Sequence, residues 1–261
     1  MTLLLRWLVL AAACLALAPR ADAQGRGASN RQVVVSAAVS LTEVLQQLAP
    51  AYQARTGDRL VLNVGASNTL SRQISFGAGV DLFISADEAQ MNAVAAYIDP
   101  ATRVDLLANQ LAIAVPDDRP RTMTSARDLL DPAIRRIAIG DPAAVPAGVY
   151  ARQYLQTLGI WSDLASKLVP AGSVRLALMA VESGAADAAI VYHTDMAAAA
   201  HAREALLIPS TDGPRIVYPA AVVRAGKNPE GGRRLLTFLG SPEAIAVLTR
   251  AGFIAPVPAR N

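Results

Sequence analysis

From Gln32 onward, short β-branched runs alternate with stretches of helical periodicity, the pattern of strand–helix units wound into a largely parallel sheet. Val33, Val34 and Val35 read as a buried strand. After the small-residue turn Ser36 to Ser40, the residues Leu41, Val44, Leu45, Leu48 and Tyr52 share one face of a helix that Gly57 ends. Strands are expected at 60–64 and 81–85, a short helix over 67–77 and another over 88–97. A second set follows, with strands at 111–115, 137–139 and 188–192 and helices at about 149–158 and 173–183. A long β-branched run at 216–223 precedes two helices over 231–239 and 242–250. This order predicts an α/β chain of two lobes, each a mostly parallel sheet flanked by helices. No Gly/Ser or Pro-rich spacer separates the sets, so the lobes are expected to share the chain through two crossings, near Asn109 and near Pro219. The expected bounds are 24–110 with 219–261 for the first lobe and 111–218 for the second.

The first residues stand apart. Arg6 precedes an apolar run from Trp7 to Ala18, and Ala21-Asp22-Ala23 places small residues at both positions that determine cleavage. That is the layout of a secretory signal peptide over 1–23, and the run is shorter than the roughly 20 apolar residues a bilayer span needs. A lipoprotein reading through Cys14 is the weaker one, because Ala11-Ala12-Ala13 lacks the usual Leu. Cleavage after Ala23 removes two positive charges and one negative, so a formal charge of +3 becomes +2. It also removes the single Cys, which excludes disulfide and thiol chemistry from the exported chain. The remaining basic residues are scattered, so no nucleic-acid stripe or polybasic membrane patch is expected. With 53% hydrophobic and 17% charged residues, the 261-residue chain can bury a sizeable core.

Several turns follow strands, open helices and are rich in small residues: 36–42, 65–70, 146–148 and 171–174. Unpaired amides at a helix start carry partial positive charge and favour an anion. Each hydrogen bond to a charged oxygen contributes roughly 1.5 to 3 kcal/mol net, so several converging on one dianion hold it without Lys or Arg. Ser40 and Ser67 also have a plainer reading as helix N-caps. Open α/β sheets place ligands at the carboxyl ends of their strands, where both serines fall.

The segments SAAVSLT (36–42), ASNTLSRQI (66–74), AGVDLFISAD (78–87), GDPAAVPAGVY (140–150) and IVY (190–192) together resemble the periplasmic molybdate-binding proteins. The resemblance spans nearly the whole exported chain, and its most specific parts are DLFISAD and the GDP-xx-VPAG loop. It implies a dehydrated oxyanion held between two lobes by hydroxyls and main-chain amides, with no direct metal ligand and no cofactor. Carried over by position, the ligands are Ser40 and Ser67 from the first lobe, with the amides of Ala147 and Val174 and the hydroxyl of Tyr192 from the second. Val39 and Asn68 depart from the usual residues beside the ligating serines and affect the rim. The resemblance further implies a monomer in the periplasm that binds molybdate or tungstate and delivers it to the membrane permease of an ABC importer. Molybdate carries no proton at neutral pH and asks only for donors, whereas hydrogen phosphate also needs an acceptor. Asp87, Asp141 and Asp195 are the acids nearest these motifs in sequence, and sulfate remains an alternative ligand separated only by cavity size.

Other classes have less support. A secreted serine hydrolase would recruit Ser40, His193 and Asp195, but there is no G-x-S-x-G elbow. His193 and His201 lie eight apart without a Cys partner, unlike zinc spacing. A regulatory effector domain would carry a DNA-binding segment where this chain has an export signal. No G-x-x-x-x-G-K-[ST] loop is present, so ATP hydrolysis is assigned to another subunit.

Overall fold

Val33, Val35 and Ala37 are fully buried, which makes β1 (Gln32–Ala38) an interior strand. A 3-10 turn over Val39–Leu41 leads into α1 (Thr42–Thr56), closed by Gly57 in the left-handed conformation at φ 75°. Then come β2 (Arg59–Gly65), α2 (Ser67–Ser75), β3 (Leu82–Ile84), α3 (Glu88–Ala93) and β4 (Val104–Asn109). The second half runs β5 (Leu111–Pro116), β6 (Ile137–Gly140), α4 (Pro146–Thr157), α5 (Trp161–Leu164), β7 (Leu168–Ala171) and α6 (Val174–Glu182). It continues through β8 (Ala188–Tyr192) and β9 (Ala202–Leu207), after which β10 (Ile216–Val222), α7 (Pro229–Leu239) and α8 (Pro242–Arg250) complete the chain. This computed structural model describes residues 31–255, so the expected signal segment and Cys14 lie outside the described residues. Among those residues no helix is long and apolar enough to cross a membrane.

The strands form two five-stranded sheets, ordered β2-β1-β3-β10-β4 and β7-β6-β8-β5-β9, in the α/β two-domain architecture. Each sheet is mixed. β1 pairs in parallel with β2 and β3, and β6 with β7 and β8, while β10 and β5 run antiparallel to both their neighbours. These antiparallel strands adjoin the places where the chain changes sheet, between Asn109 and Leu111 and between Leu207 and Ile216. The return crossing thus precedes the boundary at Pro219 expected from sequence. Pro219 lies inside β10, where a register shift after Tyr218 lets the strand carry a residue with no N–H.

Helices cover both faces of the first sheet. α7 packs on β1, β3 and β10, while a separate cluster of Leu70, Ile74, Phe83, Met91, Val94 and Ile98 forms beneath α2 and α3. α3 is shorter than the expected 88–97 because the chain turns to pair Ile98 with Val223 and to donate from Asp99 N to the Val222 carbonyl. Register positions the site. Ala38 lies opposite Gly65, so the turns after β1 and β2 emerge side by side, and Gly140 opposite Ala171 does the same for the starts of α4 and α6.

Candidate functional site

Those paired turns meet in a cavity between the two sheets, lined by Val39, Ser40, Ser67, Ala147, Val174 and Tyr192 with Ala38, Gly65, Ala66, Ala86, Val145 and Pro146. All five residues singled out in the sequence therefore line one space. Its volume is about 10 Å³, roughly the room of one water-sized sphere, so a four-oxygen anion enters only if the sheets part slightly. A much larger open groove of about 700 Å³, lined by Val104, Leu106, Leu236 and Ile245 among others, lies elsewhere. Its lining also carries Asp105, whose carboxylate opposes an anion, and none of the residues singled out in the sequence belongs to it.

The serines are not caps. The 3-10 turn holding Ser40 and the helices α1 and α2 all start without a side-chain cap, and Ser67 is the first residue inside α2. Instead Ser67 Oγ accepts from Ala86 N at 3.0 Å, and Ser40 Oγ lies 2.9 Å from Tyr218 Oη. Ser67, at 1% exposure, accepts from a backbone N–H, which can only donate, so its own proton stays available to the cavity.

The opposite wall is made of helix starts. Pro146 opens α4 and has no N–H, so Ala147 offers the first amide of that turn. Gly140 and Gly148 make this turn tight, because a Cβ on Gly148 would sit 2.0 Å from the Gly140 carbonyl oxygen. Ser173 caps α6 by accepting from Leu176 N at 3.2 Å, which leaves Val174 at the first helical position beside the cavity. Tyr192 ends β8 with 1% exposure, and its hydroxyl has no hydrogen-bond partner among the described residues. Burial, with Tyr218 and Tyr150 nearby, pushes its pKa well up, so it stays a neutral donor.

Among the described residues no Lys, Arg, Asp or Glu lines the cavity. The three acids near the motifs are engaged elsewhere. Asp87 caps α3 by accepting from Gln90 N at 2.8 Å, and burial raises its pKa. Asp141 accepts from Ala143 N at 2.9 Å. Asp195, fully buried, accepts from Tyr192 N at 3.1 Å and faces Arg175 at 3.2 Å, off the direction of a hydrogen bond. Arg175 in turn reaches Glu43 on α1 at 2.5 Å, joining the two halves beside the cavity.

Ser40, His193 and Asp195 each have other partners. His193 Nδ1 pairs with Glu204 at 2.7 Å while Ser40 pairs with Tyr218, so the nucleophile and base of a hydrolase are not hydrogen-bonded to each other. Among the described residues no three His, Cys, Asp or Glu side chains cluster closely enough to hold a cation. Sequence reasoning missed Tyr218 and Ala86, which hold the serines, and Asn109, which holds Tyr218 and Thr194. Their partners are 178, 19 and 85 residues away, and only the pairing of strands brings them together.

Residues 33–254 match the family model described as bacterial extracellular solute-binding protein. The chain is 38% identical over 234 residues to the molybdate-binding protein ModA of Escherichia coli (strain K12), covering 87% of this chain and 90% of that protein. It superposes on the periplasmic molybdate-binding protein of Azotobacter vinelandii with a TM-score of 0.77 at 26% identity, covering 86% of this chain and all of the other. The sulfate-binding protein SubI of Mycobacterium tuberculosis H37Rv shares the fold, with a TM-score of 0.74 at 18% identity over 88% of each chain.

Proposed function

Since the chain belongs to the bacterial extracellular solute-binding proteins, and within them to the periplasmic molybdate-binding family, we propose that its cavity captures molybdate. Tungstate, of the same shape and charge, is held in the same way. The ligands are the hydroxyls of Ser40, Ser67 and Tyr192, with the amides of both serines, Ala147 and Val174. The buried, unpartnered hydroxyl of Tyr192 carries this reading furthest. An orphan donor costs about 1 to 3 kcal/mol, and one placed in a wall of helix-start amides serves an anionic acceptor.

Each half of the chain supplies part of the ligand set, so the oxyanion makes its full contacts only when the halves close on it. Closure is then driven by differential affinity for the closed state. We assign residues up to 110 and the returning segment from β10 to one lobe, and the intervening chain to the other. The exported protein works as a monomer in the periplasm, its signal peptide removed, and hands the anion to an ABC permease.

Calorimetric titration of purified protein with molybdate, tungstate, sulfate and phosphate tests the reading. Stoichiometric molybdate and tungstate binding, with sulfate at least a hundredfold weaker, is expected. Comparable sulfate affinity would instead favour the sulfate reading that the shared fold permits.

A further inference from the structure

We infer that Tyr218, held by Asn109 where the chain passes between the sheets, donates to the Ser40 hydroxyl and so biases it to act as a donor toward the cavity. This rests on the oxyanion reading above and adds a specificity device to it.

The direction of each hydrogen bond follows from one backbone group. Gln110 N–H donates at 2.8 Å to Asn109 Oδ1, and a backbone N–H can only donate, so the carbonyl end of the amide is identified. Asn109 Nδ2 therefore provides the two remaining bonds, to Thr194 Oγ1 at 2.9 Å and to Tyr218 Oη at 3.1 Å. Both of its hydrogens are used. Tyr218 is fully buried, and among the described residues its hydroxyl has two partners, Asn109 and Ser40. Having accepted from Asn109, it donates to Ser40 Oγ. The reverse orientation would leave the phenolic proton buried with no acceptor. Burial also raises the Tyr218 pKa, so that proton stays in place.

Ser40 Oγ, accepting from Tyr218 and not donating to it, keeps its own proton for the cavity that it lines. Ala86 N imposes the same polarity on Ser67. Three hydroxyls then keep their protons for the ligand, and a protonated oxyanion such as hydrogen phosphate has only a remaining hydroxyl lone pair, in competition with those donors, to accept its proton. The chain of bonds also spans both halves, from Thr194 after β8 to Ser40 after β1. Tyr218 acts through Ser40, as a positioning residue that sets selectivity.

Two variants separate polarity from packing. Tyr218→Phe keeps the ring that packs edge-on at 5.8 Å from Tyr192 and 5.5 Å from Phe253 but frees Ser40 to rotate. Asn109→Asp keeps the shape but offers only acceptors. Tyr218 then donates to the carboxylate and accepts from Ser40, which turns a lone pair to the ligand. Molybdate affinity is measured by calorimetry and hydrogen phosphate affinity by competition, both near pH 8, with the wild type alongside. The ratio of the two affinities is expected to fall at least tenfold in Tyr218→Phe and further in Asn109→Asp, whose added charge acts on both dianions alike. Equal weakening of both ligands in both variants would reduce Tyr218 and Asn109 to packing and overturn the inference. A wild-type protein indifferent to molybdate would instead overturn the function beneath it, a failure visible before any variant is compared.

Discussion

Replacing Tyr192 with Phe separates a ligand hydroxyl from a structural one. The ring is 1% exposed and packs edge-on against Tyr218, and Phe preserves both features. What is lost is a hydroxyl with no partner among the described residues. In the ligand-free protein the substitution therefore breaks nothing, and relieving a buried unpaired donor makes the closed arrangement more stable. In the complex it removes one hydrogen bond to a charged oxygen, about 1.5 to 3 kcal/mol, or a ten- to hundredfold loss of affinity at about 1.4 kcal/mol per decade. Calorimetry reads the affinity, and thermal melts with and without molybdate read the stability, at about 2 to 4 °C per kcal/mol for a chain of this size. The expected result is an unchanged or raised melting temperature without ligand and a smaller rise on adding molybdate. Wild-type affinity in Tyr192→Phe, or a ligand-free melting temperature several degrees lower, would refute the assignment of this hydroxyl to the anion.

Ser67→Ala differs in kind, because it removes the acceptor of Ala86 N as well as a ligand. Calorimetry and melts should show at least tenfold weaker molybdate binding together with a ligand-free destabilisation of about 1 to 3 kcal/mol. Gly148→Ala drives a Cβ to 2.0 Å from the Gly140 carbonyl oxygen. The start of α4 must move, so molybdate binding is abolished and urea unfolding shows a loss of about 1 to 3 kcal/mol or more. Burial raises the Asp195 pKa from 3.8 to about 7 despite the opposing Arg175. A carboxyl shifted upward on folding adds stability that is fully present below about pH 4 and lost as pH rises through about 7. Urea unfolding of Asp195→Asn between pH 5 and 8 should therefore lack a downward slope that the wild type shows.

Local chemistry made much of this molecule readable. The turns at 36–42, 65–70, 146–148 and 171–174 are written in adjacent residues, and they place Ser40, Ser67, Ala147 and Val174 at strand ends. Edge strands were less visible. β7 contains Pro170 and β9 begins Ala-Arg-Glu-Ala, so neither has the β-branched run that marks a buried strand. The serines show the limit most clearly. Sequence alone left Ser40 and Ser67 between cap and ligand, and what decides between them is a tyrosine 178 residues away and an amide 19 residues away. The run 216–223 was legible as a strand despite Pro219, whereas the register shift that accommodates this proline depends on the pairing with β4.

Anomalous diffraction at the molybdenum edge, from crystals grown with molybdate, tests the central claim most directly. One strong peak is expected between the sheets, its four oxygens within about 2.7 to 3.2 Å of the Ser40, Ser67 and Tyr192 hydroxyls and the Ala147 and Val174 amides. A peak outside that cavity, or a protein atom bonded directly to the metal, would contradict it.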